Sequence, residues 1–577
     1  MNSSTPKRRL PRLVGGFSVN FCRNPHCDRF GFLPHPFSIR GRRGGDQDHG
    51  RVVGSGEDRS FRCPACDGFN IIKSNTAIAE EYSRLSRQYR KKFFPSCRTE
   101  SCPNFDLPLD LAPSAYRSAG RTARGDQRHQ CKICKATFSH GSPTRRHKKT
   151  DRTGDILLSL VNKVPISRIR ETLGVTYGHI YNKIEFLEEQ CLKFAARREE
   201  RLADCFQASD PSFATDAQVI LVNWPVKRRR GTIPLLHMAT VHQGSQFVVA
   251  ATVDYDPSVS PGRLDEEMIR SGDFALPRSM RQQARLWSAR EYESGLMRMN
   301  RAIFSEDDLA VGGQWRLPGT GSRVRTDIFM HAHMMLVKKL LGQDFDRALF
   351  CLDAEAGLAA ATSAIFQPEV AERRVDIAEV SFTKGMTNDL RNEYADRGRK
   401  ARRELLEEHQ AAVADTVARH DVPELQALVA AVLEDRLGEL DPAARGDLLM
   451  REGLRWPFHT KAEPEKAIRL RTDLGQHGFL ELADVLCLSS IHPVDAYFNF
   501  ARRRVAGFER GIPTSANAGR IWHAYSFYEP AMVPRVANIL RFYHNYMLPA
   551  SDRSGATPAM KIGLARGLVY RRDLLAA

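Results

Sequence analysis

The chain has 577 residues, of which 42% are hydrophobic, and its formal net charge is +18. This length exceeds what one hydrophobic core can organise, so we expect about three to five domains. No apolar run approaches the roughly 18 residues that a transmembrane helix needs, and the start of the chain lacks the apolar core of a secretory signal. We therefore expect a cytoplasmic protein without a membrane partner.

The positive charge is concentrated towards the amino terminus. Residues 1–150 contain 29 Lys and Arg against 12 Asp and Glu, a net +17 out of the total of +18. Such local asymmetry favours a polyanionic partner, because general solubility does not require the charge to lie in one region. A solvated basic tail is the alternative.

Eight of the twelve cysteines lie in the same region, as two quartets with the same order of spacings. The quartets are Cys22, Cys27, Cys63 and Cys66, then Cys97, Cys102, Cys131 and Cys134. In each, a C-x4-C pair precedes a C-x2-C pair, and four such thiolates can surround Zn²⁺ tetrahedrally. Two structural zinc modules are predicted, over residues 1–92 and 93–150. Disulfides are the alternative, disfavoured in an intracellular chain; His26 and His129 are second-choice ligands.

The second quartet also carries a resemblance to a known group of proteins. A Q-R-x-x-C-x-x-C run precedes a Thr-Phe pair, formed by Gln127, Arg128, Cys131, Cys134, Thr137 and Phe138. This pattern resembles the zinc ribbons that open many bacterial insertion-sequence transposases. The resemblance implies binding to DNA, in a bacterial cytoplasm and in association with the nucleoid.

Residues 151–206 show helical apolar spacing in three short units. Pro165 opens the second unit, Gly174 permits a tight turn, and Thr176 is a candidate cap for the third. This pattern predicts a helix-turn-helix, in which exposed residues early in the third helix meet base edges. Those residues are Tyr177, His179, Asn182 and Lys183. A three-helix bundle without a ligand is the alternative, but the adjoining basic modules favour DNA binding.

Residues 207–385 begin with three apolar, β-branched-rich runs, which predict three consecutive antiparallel strands. Helices and strands then alternate, which predicts a ribonuclease-H-like α/β core. Asp216 lies inside the first strand, where a carboxylate is costly unless something pairs with it. A second acid, Asp353, ends the later apolar run RALFCLD. Two such acids indicate a divalent-metal site for phosphoryl transfer; Asp353 could alternatively cap the following helix.

The later segment IHPVDAYFNFARRR resembles DDE-type transposases and related integrases. That family has a third acid near the start of a late helix, then an Asn and a basic run, which here are Asp495, Asn499, Arg502, Arg503 and Arg504. The family usually has Glu three residues before the Asn, where this chain has Ala496.

The resemblance implies that Asp216, Asp353 and Asp495 hold a pair of Mg²⁺ or Mn²⁺ ions. Glu509 is the runner-up for the third position. It lies about four helical turns from Asp495, so both cannot bind the same metals. Asp495 could alternatively cap its own helix.

Basic residues between the first two strands of the core could hold the DNA backbone. They are Lys227, Arg228, Arg229 and Arg230. Residues 386–485 predict an all-helical insertion, or alternatively a dimerisation bundle, and 486–577 complete the core and form a helical tail. The segment RWPFHTKAEPEK, which ends at Lys466, combines aromatic and basic residues and is a further candidate DNA contact.

These features together predict a DNA transposase of an insertion element. Its partners would be double-stranded DNA, both the element ends and the target, and further copies of the chain, since two ends must be paired. The main alternative is a DNA-binding regulator whose transposase-like core has lost its chemistry. A second alternative is a structure-selective nuclease that cuts DNA without joining it.

Overall fold

The structure is a computed structural model of a multidomain, mixed α/β protein. It describes residues 8–37, 50–54, 56–89, 95–105, 107, 109, 112–123, 125–140, 147–224, 231–299, 315–355, 357–513 and 521–576. The chain divides into two compact units. The first comprises Met1–Leu85, Ala203–Arg502 and Phe508–Val533, and the second comprises Ser86–Leu202, Arg503–Gly507 and Pro534–Ala577.

The amino-terminal part of the first unit is a small antiparallel sheet followed by a helix. Its elements are β1 (Arg51–Val53), β2 (Ser60–Arg62), β3 (Phe69–Ile71) and α1 (Asn75–Tyr89). Strand β2 is central in the sheet. Three cysteines of the first quartet pack with Leu10, Phe61 and Ile72 in one small core. A core this small is expected to need a metal or another cross-link for stability.

The amino-terminal part of the second unit contains another three-stranded antiparallel sheet and three helices. Its elements are β4 (Tyr116–Arg121), β5 (Gln127–Cys131), β6 (Thr137–His140), α2 (Thr153–Leu160), α3 (Ile166–Leu173) and α4 (Tyr177–Glu199). Gly174 adopts the left-handed conformation, with φ of 58°, at the end of α3. Thr176 accepts a hydrogen bond from His179 N–H and so caps α4, as the sequence predicts.

The central part of the first unit alternates between strands and helices. In chain order its elements are β7 (Ser212–Val222), β8 (Ile233–His242), β9 (Val248–Val253), β10 (Tyr255–Asp256), α5 (Pro261–Ser271), α6 (Ala289–Met299), β11 (Ser322–Arg323), α7 (Thr326–Leu341), β12 (Ala348–Asp353), α8 (Leu358–Ile365), α9 (Gln367–Ala371) and β13 (Val375–Ser381). The three strands predicted at the start of this region are therefore present, as are the two predicted around Asp353 and after it.

The next region is helical only in part, which corrects the prediction for residues 386–485. Its elements are α10 (Asn388–Glu408), α11 (Gln410–His420), α12 (Glu424–Leu437), α13 (Pro442–Arg451), β14 (Leu454–Arg455), β15 (Ala467–Leu470) and α14 (Phe479–Leu488). Strand β15 buries Ile468 and Leu470 and pairs with β13. Two apolar residues at alternate positions are too short a pattern to be recognised from the sequence.

The resulting mixed sheet has seven strands in the order β14-β15-β13-β12-β7-β8-β9. Strands β7, β8 and β9 are antiparallel neighbours, whereas β12 runs parallel to both β7 and β13. Strand β15 is antiparallel to β13.

The carboxyl-terminal part of the chain is mainly helical. Its elements are α15 (His492–Arg504), β16 (Ile512–Pro513), β17 (Ile521–Trp522), α16 (Met532–Phe542), a π-helical turn (Tyr543–Met547), α17 (Pro558–Lys561) and α18 (Arg571–Ala576). None of the helices in the described parts of the chain combines the length and the hydrophobicity needed to span a bilayer.

Helices cover both faces of the central sheet. On one face, Ala214 and Cys351 belong to the same core as residues of α12, α14 and α15. On the other face, His333 of α7 lies within hydrogen-bond distance of Thr240 and Thr252, at 2.9 and 2.8 Å. Side chains alternate between the two faces along a strand. The known faces of Ala214 on β7 and Cys351 on β12 therefore determine the face towards which the acid of each strand points.

Candidate functional site: three carboxylates on one sheet face

Asp216 and Asp353 lie on neighbouring parallel strands. The register of β7 and β12 pairs Thr215 with Leu352. The next residue of each strand is therefore one of the two acids, and the acids are level with each other. Ala214 precedes Asp216 by two residues, and Cys351 precedes Asp353 by two residues. Ala214 and Cys351 both belong to the core on the α15 side of the sheet. Because side chains alternate along a strand, both acids point to that same face. The structure thus brings together the first two acids of the predicted site.

The third acid comes from α15, which covers this face. Asp495 is in the first turn of the helix, and its charge acts on Asp216. Ala496, where the resemblance places a Glu, is exposed. Glu509 is half-buried, and its Oε1 accepts a hydrogen bond from the N–H of the following residue, Arg510, at 3.1 Å. The structure therefore brings Asp495 to the two sheet acids.

Burial and mutual repulsion dominate the electrostatics of the three carboxylates. Asp216 is only 5% exposed. Burial raises its pKa well above the usual value, and the charges of Asp353 and Asp495 raise it further, against a hydrogen bond from Ala217 N–H at 2.6 Å. Burial also raises the pKa of Asp495. Ionised acids in this arrangement are costly without a cation to compensate them.

Lys384 supplies one positive charge to the site. Its Nζ lies 3.3 Å from Oδ2 of Asp353, and its side chain is 44% exposed. Burial alone would lower the pKa of Lys384, but the charges of Asp353 and Asp216 outweigh it and raise the pKa. Lys384 was not among the residues predicted from the sequence. The available signal was a basic side chain three residues after β13, the strand that adjoins the strand of Asp353.

Of the three predicted DNA-binding arginines of α15, Arg502 belongs to the same unit as the acids. Burial lowers the pKa of Arg502, and the charges of Asp495 and Asp216 partly oppose this effect. Arg502 follows Asp495 by seven residues, about two turns, so both are on one side of the helix. Its Nη1 donates to Oε1 of Gln218 at 2.9 Å, and the Gln218 side-chain nitrogen lies 3.1 Å from Nδ1 of His237. Burial lowers the pKa of His237 to about 3, so this imidazole is neutral. Gln218 follows Asp216 by two residues and shares its face.

The other two arginines have different surroundings. Arg503 is exposed. Arg504 is half-buried and donates through Nη1 to Oδ1 of Asn162 at 2.6 Å within the second unit. Of the two, Arg503 is therefore the more accessible to a DNA backbone.

The carboxylate set suits a hard divalent cation in the type of its donor atoms. Mg²⁺ and Mn²⁺ prefer carboxylate oxygens, and waters or phosphates complete their coordination shells. Within the described ranges, only the two cysteine quartets place three or more ligand atoms within 4.8 Å of one another. Within the described ranges the three carboxylates therefore do not form a closed single-metal group.

Each cysteine quartet has the geometry of a structural zinc site. In the first, Sγ of Cys22 is 3.6 Å from Cys66, and Sγ of Cys27 is 3.7 Å from Cys63. A tetrahedron with Zn–S bonds of about 2.3 Å places its sulfurs roughly 3.8 Å apart, whereas a disulfide bond is about 2.05 Å. All four cysteines are free thiols. The first quartet is thus compatible with zinc.

The second quartet repeats this geometry. Sγ of Cys97 is 3.2 Å from Cys134, and Sγ of Cys102 is 3.8 Å from Cys131. In both quartets the second cysteine accepts a hydrogen bond from the N–H two residues later, at 3.3 Å for Cys27 and 3.4 Å for Cys102. Such N–H groups stabilise a thiolate ligand.

The two histidines proposed as second-choice zinc ligands lie outside the ligand groups. His26 Nδ1 is 3.4 Å from Oδ2 of Asp473. The ring of His129 stacks on Phe138. Both ligand groups consist of four cysteines, so no histidine is needed to complete them.

The predicted base-reading residues of α4 differ in their exposure. Tyr177 and Asn182 are exposed, and His179 is half-buried. Lys183 is only 4% exposed, which corrects the expectation that it lies on the outer face. Its Nζ is 3.3 Å from Nδ1 of His147 and 5.8 Å from the ring centre of Phe186. The long side chain follows the helix surface to these partners instead of extending into solvent.

Two further predicted DNA contacts have different outcomes. Lys227, Arg228, Arg229 and Arg230 lie outside the described residues. In the segment RWPFHTKAEPEK, Trp456 and Phe458 are buried in the core at 7% and 8% exposure. Buried rings cannot stack on DNA bases, so the aromatic part of that expectation is wrong.

No family model matches the chain, and no curated protein has a significantly similar sequence.

Proposed function

We propose that this protein is a DDE-type DNA transposase of an insertion element, which cleaves DNA at the element ends and joins the freed 3′ hydroxyl to target DNA. One observation carries the proposal. The strand register places Asp353 level with Asp216 on one face of the sheet, and α15 adds Asp495 on that face. Three acids from distant parts of the chain are what a metal-dependent phosphoryl transferase needs in one place.

The order of the strands supports a ribonuclease-H-like core. Three antiparallel strands, β7 to β9, are followed by β12 and β13, which are added in parallel on the other side of β7. In that layout the first acid lies on the first strand and the second at the end of the fourth strand. Asp216 on β7 and Asp353 at the end of β12 occupy these positions.

The chemistry consists of two in-line displacements at phosphorus. A bound pair of Mg²⁺ or Mn²⁺ ions would activate the attacking oxygen and stabilise the leaving one. In cleavage, a water oxygen forms a bond to phosphorus, and the bond to the 3′ oxygen breaks. In joining, that 3′ hydroxyl attacks a target phosphodiester, and a target oxygen leaves. Asp216, Asp353 and Asp495 would hold the cations, and Arg502 and Arg503 would lie against the DNA backbone.

The other parts of the chain would select the DNA. The two cysteine quartets, compatible with structural zinc, lie in the region that carries a net +17. Tyr177 and Asn182 are exposed at the start of α4, where a helix-turn-helix reads bases. Two element ends must be paired, so the active form would be at least a dimer on double-stranded DNA, in a bacterial cytoplasm and associated with the nucleoid.

The proposal is tested by strand cleavage and strand transfer with DNA that flanks the reading frame. Wild type should cut and join this DNA only with Mg²⁺ or Mn²⁺. Asp216→Asn, Asp353→Asn and Asp495→Asn should each lose at least about 100-fold in rate, because each removes a ligand charge, and should still bind the DNA. Glu509→Gln is the matched control and should keep its activity. Full activity of Asp216→Asn would refute the proposal.

A DNA-binding regulator is the second candidate. The ammonium of Lys384 already compensates Asp353 at 3.3 Å without a metal, and Ala496 stands where the resemblance expects a Glu. DNA binding with no cleavage by wild type would favour this regulator. Cleavage without joining would instead favour a structure-selective nuclease.

A further inference from the structure

A buried ion pair lies beside the start of α15. Glu463 and Lys466 are in the connection between β14 and β15, and Oε2 of Glu463 is 3.1 Å from Nζ of Lys466. Their side chains are 5% and 7% exposed. Burying charges costs several kcal/mol per ion, which the attraction within one pair does not always offset. Such a pair is stable only when further hydrogen bonds satisfy both charged groups.

The partners of Glu463 are the residues that lead into α15. Its Oε1 accepts hydrogen bonds from Ser490 Oγ at 2.7 Å, from Ile491 N–H at 2.9 Å and from His492 N–H at 3.1 Å. The first N–H groups of a helix have no partner within the helix, and a negative charge near them is favourable. Glu463 therefore caps α15 from a separate part of the chain.

The residues just before α15 are held as well. Lys466 Nζ donates to the carbonyl oxygen of Ser489 at 2.7 Å. Gln243, which follows β8, donates through Nε2 to the carbonyl oxygens of Leu488 at 3.1 Å and Ser490 at 3.2 Å. The connection between α14 and α15 is thus tied both to the sheet and to the buried ion pair.

Asp495 lies one turn into the helix that this arrangement holds. Its N–H donates to the carbonyl oxygen of Ile491 at 3.1 Å, and the N–H of Ile491 is itself held by Glu463. Each residue of an α-helix adds 1.5 Å along the helix axis and a rotation of about 100° around it. Any shift or fraying at its start would therefore change the distance between Asp495 and the two acids of the sheet.

We propose that Glu463 is a positioning residue of the carboxylate site, which holds α15 so that Asp495 can share a divalent cation with Asp216 and Asp353. This inference rests on the proposed function. In this proposal Glu463 acts through α15, which it holds at Ile491 and His492, and is not itself a ligand of the cation.

The test measures Mn²⁺ binding to the full-length, zinc-loaded protein by titration calorimetry, below the unfolding temperature. Glu463→Ala should weaken Mn²⁺ binding by about tenfold, the lower end of the loss expected when a group that orients a metal ligand is removed. Glu463→Gln keeps an oxygen acceptor for the N–H groups, so its loss should be smaller and it should remain folded. DNA binding should not change in either variant.

Glu369→Ala is the matched control. Glu369 is also buried, at 5% exposure, and its Oε1 lies 2.7 Å from Nζ of Lys338 in the same unit. Its removal should lower the thermal midpoint while Mn²⁺ affinity stays within about twofold of wild type. This variant separates a general loss of stability from a loss of positioning.

The possible failures are distinguishable. If both Glu463 variants lose stability like the control but bind Mn²⁺ as wild type does, the positioning role is overturned and the proposed function stands. If wild type and Asp216→Asn bind Mn²⁺ equally well, the acidic site is not a metal site. That result overturns the proposed function together with this inference.

Discussion

Three carboxylates and one ammonium share a partly buried space on one face of the central sheet. Lys384 offers a single positive charge against Asp216, Asp353 and Asp495, so the group carries a net negative charge whenever all three acids are ionised. A divalent cation would compensate this negative charge. The residue-scale predictions follow from the competition between protons, the ammonium and added cations for the same oxygens.

The first prediction concerns the pH dependence of stability. Because the pKa of folded Asp216 is raised, the folded protein binds this proton more tightly than the unfolded chain does. Without Mg²⁺ or Mn²⁺, the free energy of unfolding contributed by this group therefore falls as the pH rises from about 4 through the folded-state pKa. The variant Asp216→Asn has no carboxylate at this position and does not lose this stability. Its thermal midpoint should therefore be roughly 2 °C or more above that of wild type at pH 8, and the difference should be smaller at pH 5.

Thermal unfolding of the zinc-loaded proteins measures this difference, with and without added Mn²⁺. Addition of Mn²⁺ should stabilise wild type and leave Asp216→Asn unchanged. An equal thermal midpoint for both proteins across the pH range would show that the charge of Asp216 is compensated by other means.

The second prediction concerns Lys384. Replacing it by Met removes the ammonium from Asp353, so the apparent Mn²⁺ affinity should rise by about fivefold, equivalent to about 1 kcal/mol of charge repulsion in a partly exposed site. Lys384→Arg retains the charge and should bind Mn²⁺ like wild type. Titration calorimetry measures both, and an unchanged affinity in Lys384→Met would show that the ammonium does not compete with the cation.

At the scale of elements, the orientation of α15 decides which side chain reaches the sheet. Successive residues of a helix point about 100° apart, and the structure exposes Ala496 while Asp495 is half-buried. The spacing known from the resemblance would place the acid one residue later. In this chain the acid of α15 that acts on the sheet acids is therefore Asp495, and residue 496 faces solvent.

The third prediction tests this orientation. The double variant Asp495→Asn with Ala496→Glu should stay inactive, below about one-hundredth of the wild-type cleavage rate, because the new carboxylate points to solvent. The single variant Asp495→Glu keeps the direction and should retain part of the activity. Restored cleavage by the double variant would mean that the helix can rotate to present residue 496.

The exposed start of α4 gives the fourth prediction. Asn182→Ala should weaken binding to the flanking DNA by about tenfold, the order of one lost base contact, without lowering the thermal midpoint. Glu189→Gln, an exposed change further along the helix, is the control and should not weaken binding. Lys183→Met should mainly alter stability, because Lys183 is buried. Electrophoretic mobility shifts and thermal unfolding together measure these effects.

At the scale of the whole molecule, each of the two units contains one cysteine quartet. Both quartets are compatible with structural zinc, and a bound metal stabilises a small core because metal binding and folding are coupled. Removal of one zinc should therefore affect the unit that holds it.

The fifth prediction follows from this arrangement. Cys63→Ser and Cys131→Ser should each reduce the zinc content from about two to about one per chain, because each removes a ligand from one quartet. Cys487→Ser, outside both groups, should keep both ions. Elemental analysis measures the zinc, and limited proteolysis should show earlier cleavage in the unit whose quartet is changed. Two zinc ions in Cys131→Ser would contradict the assignment.

Local patterns in the sequence predicted the elements that depend on neighbouring residues. The spacing of the eight cysteines indicated the two quartets, alternation of apolar residues indicated β7 to β9, and Gly174 with Thr176 indicated the turn before α4. These features are determined by backbone preferences and side-chain periodicity over a few residues, so the sequence alone contains them. The same reasoning failed for β15, whose four residues gain their order from pairing with β13.

Only the tertiary structure decided which distant residues meet. Asp216 and Asp353 are more than one hundred residues apart, and their alignment depends on the register between two strands. Lys384 lies beside Asp353 because it follows β13, the neighbour of β12 in the sheet. Glu463 meets the start of α15 from the connection between β14 and β15. Lys183 is buried because His147 lies against its side chain. Such contacts depend on packing between elements, and no short segment of the sequence encodes the register or the rotation that produces them.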